Sequence, residues 1–167
     1  MKHVYSLIIA VALFMLCAPL RATAAHEGGS PVEEMLDSHK EARKLDGAKL
    51  KVARPFLKRT PMGVIVDEIN MMIICPMKLD AAEGYSFSKD ALNVLKKYIL
   101  VKQIDDEKST MDIYIDTPQD ERFSEIVLYN TRPEASILLF MGDFTVESLI
   151  KVGEASEQER KHLKKNK

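Results

Sequence analysis

"TMDIYID", residues 110–116, decides the architecture. Met111, Ile113 and Ile115 alternate with Asp112, Tyr114 and Asp116, the period of a strand with one dry and one wet face. Its neighbours follow the same rule. "ILVKQI" (99–104) precedes it across the charged tip "DDEKS", and "SEIVLYN" (124–130) follows across "TPQDERF". "SILLFMG" (136–142) comes next, after "TRPEA", a five-residue connection centred on Pro133 that suits a hairpin. Strands joined in succession by short turns predict an antiparallel sheet.

Working outward, "FSKDALNVLKKY" predicts a helix over 89–98. Ser88 is its N-cap, Phe87 staples onto Leu92, and Asp90 and the pair Lys96–Lys97 suit the dipole at its two ends. In "TPMGVIVDEINMMIICPM" (60–77), Thr60 and Pro61 mark a helix start. Met62, Ile65, Val66 and Ile69 then share one helical face, predicting a helix over 61–69. The apolar run beyond it predicts a buried strand over 71–76, ended by Pro76. After the last strand, Thr145 caps a helix over 146–152, with a Phe144–Leu149 staple and Gly153 at its end. Amphipathic helices must bury their stripes on a sheet. The expected fold is therefore α+β: a single, mainly antiparallel sheet of about five strands with short helices packed on one face. The compact domain is expected over 53–153, after a partly helical leader (26–52) and before a charged tail (154–167).

Residues 1–25 have the order of a secretory signal peptide. Lys2 and His3 lead an eleven-residue apolar run, Pro19 breaks it, and small residues Ala22 to Ala25 follow. The run is too short to span a bilayer, which takes roughly 20 residues. Cleavage is expected after Ala24 or, next, Ala25, with export to the periplasm or cell surface. Cys17 follows Leu16 and not the small residue that bacterial lipid attachment requires, so ordinary cleavage is expected over lipid anchoring. No transmembrane span would then remain. Cys75 would be the one cysteine left, so no internal disulfide can staple the fold. A formal net charge of −1 argues against nucleic acid as a partner.

"MDIYID", "EIVLYN" and "LLFMGDFTVESLIKV" together resemble a family of small exported bacterial proteins, common in Bacteroidetes and known only as a domain of unknown function. The resemblance covers about residues 50–153. It implies an envelope protein and supplies no catalytic residues. Members are often lipid-anchored, a point on which Cys17 departs from the family.

Met71, Cys75 and Met77 share one face of a strand, and thioether and thiolate select Cu(I). Isoleucines interleave with them, and methionine and cysteine are also ordinary core residues. The carboxylates Asp105, Asp106, Glu107, Asp112, Asp116, Asp120 and Glu121 form no calcium loop, and suit wet strand faces and hairpin tips. His26, His39 and His162 lie in expected tails, leaving the domain no base for a Ser-His-Asp or Cys-His arrangement. No P-loop, zinc spacing or dinucleotide fingerprint is present, and no cofactor is expected. The surface expected to make contacts is a wet sheet face bearing Asp112, Tyr114, Asp116 and Tyr129. The leading expectation is a non-enzymatic module that binds an envelope protein or small ligand. A periplasmic copper handler using Met71, Cys75 and Met77 is the alternative, and an enzyme of unrecognised type a further one.

Overall fold

The structure, a computed structural model, describes residues 29–75, 81–105, 110–132 and 135–165. The signal-peptide expectation and Met77 lie outside them. Six strands form one antiparallel sheet: β1 (Arg43–Asp46), β2 (Ile69–Cys75), β3 (Ile99–Asp105), β4 (Thr110–Ile115), β5 (Arg122–Arg132) and β6 (Ser136–Thr145). The spatial order is β1-β2-β6-β5-β4-β3. The four strands read from alternation form a meander, with Ile113 opposite Leu128 and Leu128 opposite Leu138. β2 then adds to the free edge of β6, setting Ile73 against Leu139.

Among the described residues the α-helices are α1 (Pro31–Asp37), α2 (Gly47–Leu57), α3 (Ala81–Leu95) and α4 (Val146–Lys165). They lie on both faces of the sheet, not on one. On the first face, Val32 and Leu36 of α1 and Phe87, Ala91 and Leu95 of α3 meet Ile73, Cys75, Val127, Tyr129, Ile137 and Leu139. On the second, Leu50 of α2, Leu149 and Val152 of α4, and Met62 and Ile65 of a 3-10 helix (Pro61–Ile65) meet Met72, Ile126 and Phe140. Strands with apolar residues at both parities require this double cover. "SEIVLYN" places Ile126 and Leu128 on one side and Val127 and Tyr129 on the other.

The packed unit also begins earlier than residue 53. Val32 and Leu36 are fully buried, one helical turn apart, and Leu50 is buried as well. Ser30 caps α1 by accepting the Glu33 N–H at 3.1 Å, with Pro31 at the first helical position. β1 is a four-residue, largely exposed edge strand, the short form that sheets use to blunt an edge.

Three local expectations change. α3 starts upstream of Ser88, and its buried stripe is Phe87, Ala91 and Leu95; Leu92, five residues from Phe87, points to solvent. The helix expected over 61–69 is only the 3-10 helix, with Ile69 already in β2; Met62, Ile65, Val66 and Ile69 are nevertheless all buried. Thr60 does not cap it, and its hydroxyl donates instead to the Leu57 carbonyl at 2.7 Å. At the start of α4, Thr145 does cap: its Oγ1 accepts the Ser148 N–H at 3.1 Å, and Ser148 Oγ accepts the Thr145 N–H at 3.3 Å. Gly153 does not end this helix, which continues to Lys165. Among the described residues, no helix is long and apolar enough to cross a membrane.

Candidate functional site

A β-bulge organises one end of the sheet. The β5–β6 register shifts between Phe123 and Glu125, so Phe123 joins Phe144 on the second face while Glu125 turns to the first, opposite Met141. An extra residue leaves backbone donors without ladder partners. Asp116, just past β4, satisfies them: its carboxylate accepts the N–H groups of Ser124 and Glu125 at 3.0 and 2.9 Å and the Ser124 hydroxyl at 2.7 Å.

Glu125 is only 4% exposed. A buried carboxylate requires donors, and Glu125 Oε2 accepts from Ser30 Oγ at 2.8 Å and from the Tyr98 hydroxyl at 2.6 Å. These donors come from the cap of α1 and from the segment joining α3 to β3, so one oxygen ties three chain segments together. Burial, then the bond to Glu125, pushes the Tyr98 hydroxyl well above its ordinary range, so Tyr98 stays protonated and donating at any physiological pH.

The bulge opens onto a cleft of roughly 990 Å³. Ser30, Tyr98 and Glu125 lie in its lining, together with Lys96, Lys97, Asp116, Asp120 and Asp143. Arg122 donates from Nε to Asp143 Oδ1 at 3.0 Å and pairs through its second nitrogen with Oδ2, which raises the guanidinium pKa further. The β4–β5 turn at the rim closes through the Gln119–Arg122 bridge, with Asp120 and Glu121 at φ 48° and 64°. That two-residue geometry normally takes Asn-Gly or Asp-Gly. Here it holds two side-chain-bearing acids in the left-handed region, a strain of roughly 1–3 kcal/mol per residue. The N–H of Val146, the first residue of α4, donates to the Glu121 carbonyl at 3.1 Å and anchors the turn.

The four residues expected on a wet contact face divide. Asp116 lines the cleft. Tyr129 is a core residue at 1% exposure, beneath the helices of the first face, and so is not on a wet face. Asp112, opposite it, is also buried and accepts from Gln103 Nε2 at 2.9 Å. Tyr114 is half-buried, and burial together with Asp112 raises its hydroxyl pKa. Met71 and Cys75 do share the first face, but as members of its core, with Ile73 between them; burial pushes the Cys75 thiol up. Among the described residues, no group of three or more His, Cys, Asp or Glu could hold a metal ion.

Ser30, Tyr98 and Glu125 carry no sequence motif, which is why sequence reasoning missed them. The one available signal was Glu125 itself. It falls at the same parity as Val127 and Tyr129 in a strand apolar on both sides, where a carboxylate is buried and must be answered by donors. Compared with protein-family models, curated proteins and solved structures, the chain matches none.

Proposed function

We propose that this protein is a non-enzymatic binding module of the cell envelope, and that its binding site is the cleft at the β5 bulge. One observation carries the reading: a cleft of ligand size, lined by side chains of both charges around a buried hydroxyl–carboxylate knot. Lys96 and Lys97 favour an anion and Asp120 a cation, beside Asp116 and Asp143, whose carboxylates already hold the bulge and Arg122. Together they suit a small ligand bearing both charges, such as a short peptide with free termini. The knot favours binding over catalysis. Both hydroxyls are aimed at one oxygen of Glu125, an arrangement that fixes geometry, and no histidine or cysteine stands among the described lining residues. The signal-peptide pattern of residues 1–25 supports the envelope location.

The test is an NMR titration of isotope-labelled protein with di- and tripeptides. Shifts concentrated on Ser124, Glu125 and Gly142 are expected. Shifts confined to other surfaces, or none at millimolar peptide, defeat the assignment. Copper handling by Met71 and Cys75 makes the opposite demand: a core strand would have to open. Anaerobic Cu(I) titration decides it, because binding no tighter than background ends that alternative.

A further inference from the structure

The outer side of α2 carries a surface that the cleft does not use. Residues 47–66 contain Lys49, Lys51, Arg54, Lys58 and Arg59 and no Asp or Glu, in a chain whose formal net charge is −1. Leu50 is the buried anchor of the helix, and Leu57 packs beside it. Val52 and Phe56, one turn apart, fall on the opposite side. Lys49 lies on the same side, three residues before Val52, and Arg59 follows just past the end of the helix. Val52 is 71% exposed, Phe56 68%, and Val64 of the adjoining 3-10 helix 50%. Lys49, Lys51, Lys58 and Arg59 are all exposed. Arg54 is turned inward, donating to the Ile69 carbonyl at 3.3 Å and standing 3.6 Å from Asp67. The acids nearest in sequence are thus Asp46, at the N-terminus of the helix, and Asp67, which Arg54 engages.

We infer that this stripe docks the protein on an anionic phospholipid bilayer. Exposed apolar side chains bracketed by cations are the composition of a helix that lies in a membrane interface, apolar groups in the acyl boundary and cations at the headgroups. Each cation held near such a surface strengthens binding several-fold. The alternatives fit less of the pattern. A nucleic acid would reward the cations and leave Phe56 and Val52 in water. An acidic peptide would pair with the cations but offers Val52 and Phe56 no apolar partner. A fluid interface takes both the charge and the apolar groups of the stripe. With so few apolar residues, the attachment is weak and reversible.

The test uses the full chain carrying Phe56→Trp. The natural chain has no tryptophan, and an exposed position spares the core, so the new indole reports on the stripe alone. Phosphatidylcholine vesicles with about a third phosphatidylglycerol are compared with pure phosphatidylcholine. The expected result is a blue shift and quenching by brominated acyl chains on the anionic vesicles only, reversed by salt. Adding Lys49→Gln and Arg59→Gln weakens this binding by about 30-fold. The apolar run at residues 7–17 would enter either vesicle type, so a shift of equal size on both overturns the inference. An indole that stays in water on anionic vesicles also overturns it. A shift with polyglutamate but not with vesicles assigns the stripe to an acidic protein and overturns it too.

Discussion

The two faces of the sheet solve the same burial problem with different chemistry. The second face is apolar at its centre: Phe140, Phe144, Phe123, Ile126 and Ile69 interlock under α2, α4 and the 3-10 helix. The first face carries the buried carboxylates Asp112 and Glu125 and the hydroxyls of Tyr98 and Ser30 beside its aliphatic core. The apolar face needs only matching volume, and it tolerates no missing atoms. The polar face needs particular partners from distant segments, and in exchange it fixes where those segments dock.

Deleting volume from the second face should cost most. Phe140→Ala is expected to destabilise by about 3–5 kcal/mol, read from urea midpoints at constant m-value. A loss under 1 kcal/mol would mean that this core is loosely packed. The next effect separates the two chemistries. Glu125→Met alone leaves the Ser30 and Tyr98 hydroxyls without their acceptor and should cost about 2–3 kcal/mol. Adding Ser30→Ala and Tyr98→Phe removes both orphaned donors, and the triple variant should regain most of that loss. If it is no more stable than the single variant, the knot is not what holds α1 to the sheet.

Alkaline titration gives a smaller effect. Because the folded-state pKa of Tyr98 lies above its ordinary value of 10.0, the neutral hydroxyl contributes stability fully below that pH and loses it as pH rises further. The advantage of the natural chain over Tyr98→Phe should therefore be constant up to about pH 10 and shrink beyond it. An advantage that grows above that pH would show that the sign is wrong. The smallest expected change is a gain: Glu121→Gly relieves left-handed strain at the cleft rim and should add about 1 kcal/mol, seen as a rise in Tm.

How much of this was legible follows the same division. The meander was readable because alternation and turn residues are local signals, and Thr145 announced α4 correctly. Helix in the leader was expected, but β1 and the docking of α1 were not readable, because seven and four residues carry too little periodicity, and what holds Val32 and Leu36 is a surface brought from far along the chain. Tyr129 and Asp112 were misplaced because period two says that a strand has two faces, not that both are covered. The bulge at Ser124 reversed the parity of Phe123, which alternation alone cannot foresee. The glycine in "LLFMGDF" has a cause visible only in three dimensions: the Glu68 carbonyl and the Phe144 ring occupy the space that a Cβ at Gly142 would need.

The strand order has a consequence in time. β2, the apolar "INMMIIC", is synthesised early but finds β6 only after α3, β3, β4 and β5 have been made. Until then β1 covers one of its edges, and the other presents open backbone donors and acceptors. Such non-local pairing is slow to form, and the waiting edge is where the nascent chain is most open to mispairing. A chain of this topology benefits from being kept unfolded until its last strand is available.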